Sequence, residues 1–189
     1  PPTNGMPGLT VRGEYLAPKP GKPARIGAGK GTVLSPDESE CRAAQNGQVY
    51  LAGGKVVVSP IYVVKGDVGP KTGNINFLGT VEVHGGVDDG YSIKAANSVV
   101  VSKTVGKVQI EAGKDIEIRG GMAGHSEGTL RAGGDVRIRF LQEAIVEARG
   151  SVLVSDAIMH STIEAGERVL VGVGPVESRK GIIVGGRVR

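Results

Sequence analysis

Residues 110–118, Ile110-Glu111-Ala112-Gly113-Lys114-Asp115-Ile116-Glu117-Ile118, carry the pattern that decides the fold. A branched apolar residue is followed, two positions on, by alanine; after three more positions, isoleucine alternates with charge. The frame returns as Ile93-Lys94-Ala95 running to Val99-Val100-Val101, as LRAGGDVRI from Leu130, as VEARGSVLV from Val146 and as IEAGERVLV from Ile163. An earlier copy, INFLGTVEV from Ile75, has Phe77 in the alanine slot, and a last copy begins at Ile182 and stops in mid-pattern at Val188-Arg189. The alanines at 95, 112, 132, 148 and 165 set a period of 16 to 20 residues, about 17–18 on average. A period of this length is the mark of a stacked repeat, in which each unit buries its apolar face only against its neighbours.

Within a period the apolar residues fall about six apart: Ile75, Val81, Val87; Ile93, Val99, Val105; Ile110, Ile116, Met122; Val146, Val152, Ile158. Three short sides per turn follow. Alternation such as Val136-Arg137-Ile138 sends one set inward and the other to solvent, the period of a strand rather than a helix. A single chain coiling this way satisfies its backbone by pairing each strand with its equivalents one turn away. The expectation is an all-β, single-stranded parallel solenoid. Alanine at the corner implies a site where only a small side chain fits, so Ala132→Leu is expected to overpack it.

Residues 1–65 do not share the period and read as a small β-rich N-terminal segment, either a cap or a separate module, followed by a β-helix domain over 66–189. GEYLAPKPGKP reads as a loop, and NGQVYLAGGKVVVSPIYVV as a hairpin entering the first turn.

Composition narrows the rest. There are 32 glycines, two Phe, four Tyr and no Trp, so the core is aliphatic and tightly turned. No apolar run approaches the roughly 18 residues of a membrane helix, and the first residues lack the basic and apolar regions of a signal peptide. With Cys41 the sole cysteine, no internal disulfide framework exists, which fits a reducing, cytoplasmic setting. The net charge of +4 arises from interspersed signs. Arg119, Arg137, Arg139, Arg179, Lys180, Arg187 and Arg189 make a basic set near only one aromatic, Phe140, so nucleic-acid binding is a minor reading.

Catalytic and metal signatures are missing from the sequence. His84, His125 and His160 hold no metal-binding spacing, and each is expected in solvent. GGMAGHSEG (120–128), in the longest turn, is expected to bulge as a loop; it lacks the lysine and following helix of a phosphate-binding loop. A carbohydrate-active β-helix enzyme would need paired carboxylates in one cleft; Asp88, Asp89, Asp115 and Asp135 are present but in turns, and aromatic platforms are scarce. Acyl transfer on a triangular coil would have His125 as its one candidate. No catalytic residue, cofactor or metal is assigned.

Two outward columns are expected instead. Lys94, Glu111, Arg131, Glu147 and Glu164 form a charge ladder about 4.8 Å apart. Beside it run Glu82, Val100, Glu117, Arg137, Leu153 and Leu170, whose apolar end suggests a contacted or covered strip. Leu153, Leu170, Arg137 and His125 are the candidate interaction residues.

The stretches PGLTVRGEYLAPKPGK, YVVKGDVGPKTGNINFLGTVEVHGGVDDGYSIKA, GGMAGHSEGTLRAGGDVRIRFLQEAIVEARGSVLV and the final GIIVGG resemble the bacterial flagellar assembly protein A (FapA) family over nearly the whole chain. The resemblance implies a right-handed parallel β-helix, a further N-terminal region, and a helical C-terminal part that this chain lacks, so the solenoid reads as truncated at its C-terminal end. It also implies a non-enzymatic scaffold for flagellar assembly or cell-pole organisation, working at the pole or flagellar base through protein partners. The open strand edge at the last turn predicts self-association into a homo-oligomer.

Overall fold

The computed structural model describes residues 3–22, 26–173 and 181–189. Contacts divide the chain into two compact units, residues 1–45 with 49–58, and residues 46–48 with 59–189. No helix occurs among the described residues.

The first unit is built from short strands. Gly8–Leu9 pairs antiparallel with Tyr15–Leu16, and Thr32–Leu34 with Cys41–Ala43. Lys55–Ser59 lies between Gly27–Ala28 and Gln48–Ala52 in a three-stranded sheet. The Gln48–Ala52 to Lys55–Ser59 connection is Gly53-Gly54, both at positive φ (57° and 75°). Two left-handed residues in a two-residue loop match the twist of a hairpin, and only glycine adopts them without strain.

In the second unit the parallel stack begins with Ile61–Val64, earlier than the repeat pattern revealed. These residues pair in parallel with Thr80–Val83, Val63 opposite Glu82. They therefore form the first rung, within the span read from sequence as leading into it. From there three columns of strands climb the coil. The alanine face stacks Ile75, Ile93, Ile110, Leu130, Val146 and Ile163 in register, with Val188 beyond them. The second face stacks Tyr62, Val81, Val99, Ile116, Val136, Val152 and Val169. The third face joins Val68, Val87, Val105, Met122, Leu141, Ile158 and Ile183 through bridges and strand pairs.

The inward members of these columns form one continuous aliphatic core, in which Val81, Val99, Ile116, Leu130, Val146 and Ile158 are fully buried. Because each turn repeats its predecessor, like side chains stack on like. The six-residue spacing of branched residues in the sequence is the three-sided cross-section of this core.

Two features depart from a uniform coil. Met122–Ala132 and Val136–Ala148 are single strands of 11 and 13 residues that turn corners without breaking their pairing. Residues 120–128, expected as a protruding loop, mostly belong to the first of these. The extra length is taken up as a bulge, in which residues 124–127 stand opposite Glu143 alone. His125, Ser126 and Glu143 adopt left-handed backbone angles there, as does His160 on the next turn. A bulge keeps the sheet hydrogen-bonded on both sides of an insertion, whereas a loop would expose both neighbours' edges.

Candidate interaction surface

The alanine face presents its charge ladder as the sequence periodicity predicts. Lys94 Nζ lies 2.9 Å from Glu111, and Arg131 lies 3.9 Å from Glu111 and 3.0 Å from Glu147. Register places Glu164 opposite Glu147 at the end of the run. The Lys94 ammonium, hydrogen-bonded to Glu111, holds that carboxyl below its usual value of 4.5 against the opposing effect of partial burial. These side chains are about half exposed, so each pair adds only about 0–1 kcal/mol; the alternation contributes mainly to register.

Beside the ladder runs a groove of about 910 Å3, floored by Ala112, Ala132 and Ala148 and by Gly113 and Gly133 at the adjoining corner. Its depth comes from the small residues of the alanine column and from the glycines at 113, 133 and 166, with Arg149 the one long side chain of that corner.

On the second face, Val63, Glu82, Val100, Glu117, Arg137, Leu153 and Leu170 form one outward column in consecutive register. Leu153 is half-buried among its neighbours and Leu170 is 37% exposed. Arg137 turns to Asp135, at 3.0 Å. The strip is thus charged in its middle and apolar over its last two rungs. His125 is not part of it: it is exposed in the bulge between the third and alanine faces.

Of the carboxylates that sequence reading weighed for catalysis, Asp89, Asp115 and Asp135 serve the backbone. Asp115 Oδ1 accepts the Asp135 N–H and Asp135 Oδ1 accepts the Ser151 N–H, each at 2.9 Å, and the Ser151 hydroxyl donates to Glu167 at 3.0 Å. Asp89 accepts the Lys107 N–H, and Asp67 the Gly86 N–H, each at 2.7 Å. At the corners, where strand pairing lapses, a side-chain oxygen from one turn takes up a donor of the next. The signal for this role was present: an acidic residue immediately before the apolar pair, as in Asp115-Ile116 and Asp135-Val136, with its target one period later.

Three of the basic set, Arg119, Arg137 and Arg139, pair with carboxylates. Arg119 pairs with Glu117 at 3.1 Å and Arg139 with Asp156 at 2.7 Å. Arg179 and Lys180 lie outside the described residues. His84 contacts Glu82 at 3.1 Å, and His160 is exposed one turn from Glu143. Among the described residues no cluster of three or more His, Cys, Asp or Glu is placed to hold a metal ion. No helix among them is long and apolar enough to cross a membrane, which says nothing of strands.

A family model described as the Flagellar Assembly Protein A beta solenoid domain matches residues 60–189, and one described as the Flagellar Assembly Protein A N-terminal region matches residues 1–54. The chain belongs to the flagellar assembly protein A family. The two matched regions follow the change in architecture, with the flagellar assembly protein A solenoid region opening next to the first parallel rung at Ile61–Val64. No curated protein and no solved structure matches the chain. Membership supports a flagellar-assembly-related protein.

Proposed function

We propose that this protein is a non-enzymatic scaffold of flagellar assembly, a rigid stack that docks protein partners, and copies of itself, at the cell pole or flagellar base. The observation that carries the reading is the second-face column, in which Arg137 gives way to Leu153 and Leu170 on adjacent rungs. Single exposed apolar residues are ordinary on protein surfaces; two in register beneath a charged segment make a patch with a defined edge. The commitment of Asp89, Asp115 and Asp135 to backbone donors supports a structural use of the corners over carboxylate catalysis.

A Leu153→Glu/Leu170→Glu variant tests this. Both positions face outward, so its circular dichroism and thermal unfolding are expected to stay close to those of the native chain. In a deletion strain the native protein is expected to restore motility and the variant to fail. Full restoration by a folded variant would remove the strip from the function.

A further inference from the structure

We propose that the alanine face is a self-docking surface, on which two copies of this chain associate antiparallel about a two-fold axis lying between the Glu111 and Arg131 rungs. The proposal rests on the scaffold reading and names the face, partner and register of its self-association. The outward column of this face reads Asn76, Lys94, Glu111, Arg131, Glu147, Glu164 along the stack. Reversed about that axis, it is its own charge complement. Glu111 meets the partner's Arg131, Lys94 meets the partner's Glu147, and Asn76 meets the partner's Glu164.

No other two-fold pairs all four central charges. An axis on the Arg131 rung sets Arg131 against itself and Glu111 against the partner's Glu147. Shifted one place further, the axis leaves Arg131 with the partner's Glu147 but sets Glu111 against the partner's Glu164. A parallel arrangement about the stack axis places every charge against its own kind. Like-charge opposition of this sort excludes wrong registers even where the correct pairs add little affinity.

The other outward column of the face, Ser92, Gln109, Thr129, Ile145 and Thr162, is uncharged as far as Arg187, which with Arg189 lies on a rung beyond those the axis pairs. Side-chain exposures of 67%, 41%, 55% and 46% at Lys94, Glu111, Arg131 and Glu147 leave the charged heads accessible to a second copy. The strip is narrow, on the order of a few hundred Å2 per copy, well below the area of a stable dimer. The association is therefore weak and salt-sensitive, and gains strength where copies are already concentrated.

The test gives the ladder a single sign. Lys94→Glu/Arg131→Glu leaves only negative charge on it and Glu111→Lys/Glu147→Lys/Glu164→Lys only positive charge, so neither variant complements itself in any register while each complements the other; circular dichroism checks that both keep the fold. A fluorescent tracer of each chain is sedimented at low salt with unlabelled chain at about 0.1–1 mM, a range suited to weak association. The tracer's mean mass is expected to rise for native with native and for the acidic variant with the basic one, to stay unchanged for each variant with itself, and to fall back as salt is added. A rise of each variant with itself equal to the native rise would place the association elsewhere, and no rise of native with native would remove it; both overturn the proposal. Neither result touches Leu153 and Leu170, so motility restoration by the leucine variant still judges the docking reading separately.

Discussion

Replacing Ile116 with alanine is expected to lower the free energy of unfolding by about 2–5 kcal/mol, the range for truncating a fully buried branched side chain in a core that cannot collapse. Ile116 is fully buried in the middle of the second face, stacked between Val99 and Val136. Backbone pairing with both neighbours fixes the spacing between turns, so the void left by the side chain cannot close by moving one strand. Its loss weakens two turn-to-turn interfaces at once, and in a stack stability is close to a sum of such interfaces. Urea denaturation followed by circular dichroism measures it. A loss below about 0.5 kcal/mol, the size of an ordinary surface effect, would contradict the central placement of this residue.

Gly133→Ala is expected to lower stability by about 1–3 kcal/mol, as overpacking does elsewhere in proteins. A Cβ at Gly133 would run into the carbonyl oxygen of Gly113, one turn below, and a Cβ at Gly113 into that of Ala96. The obstacle is backbone held by inter-turn hydrogen bonding, which cannot rotate away as a side chain would: Gly113 donates to Ala95 and Gly133 to Ala112. Arg149 provides the control. It occupies the same corner column with a full side chain, so Arg149→Ala is expected to change stability by less than about 0.5 kcal/mol. Equal, small effects at both positions would show that the corner is looser than the stack requires.

Much of this was legible from spacing alone. The alanine period and the six-residue apolar interval are direct images of turn and side, because every turn repeats one solution to the same packing problem. Register could be read too: Lys94, Glu111, Arg131, Glu147 and Glu164 were aligned from their distance to the alanine, and the parallel pairing aligns them in the same way. The alignment of Arg137, Leu153 and Leu170 was legible for the same reason.

What was not legible were the departures from the period. Ile61–Val64 lies before the first recognisable alanine-slot copy and looks like the end of a hairpin, yet its alternation fits the second face. A strand's pattern does not reveal which neighbour it pairs with. The segment 120–128 reads as a loop because it lies in the longest turn; the sheet instead absorbs the extra length as a bulge beside Glu143. The corner aspartates read as catalytic candidates because their place before the apolar pair marks the turn they occupy and does not name a partner; the stack sets each oxygen on the N–H one turn on. His125 joins Leu153 and Leu170 as a candidate through its place in that long turn, but the bulge that holds it lies between the third and alanine faces, off the second-face column.

Every surface assignment depends on neighbouring turns being parallel and in register, and cysteine cross-linking measures this most directly. In a Cys41→Ser background, Glu117→Cys/Arg137→Cys joins residues on adjacent rungs, about 4.8 Å apart and within disulfide reach. Glu117→Cys/Leu153→Cys joins residues two rungs apart, at about 10 Å, beyond that reach. Mild oxidation of the folded chain is expected to close an intramolecular disulfide in the first variant and leave two free thiols in the second. Free thiols in the first variant, or a disulfide in the second, would contradict the stack.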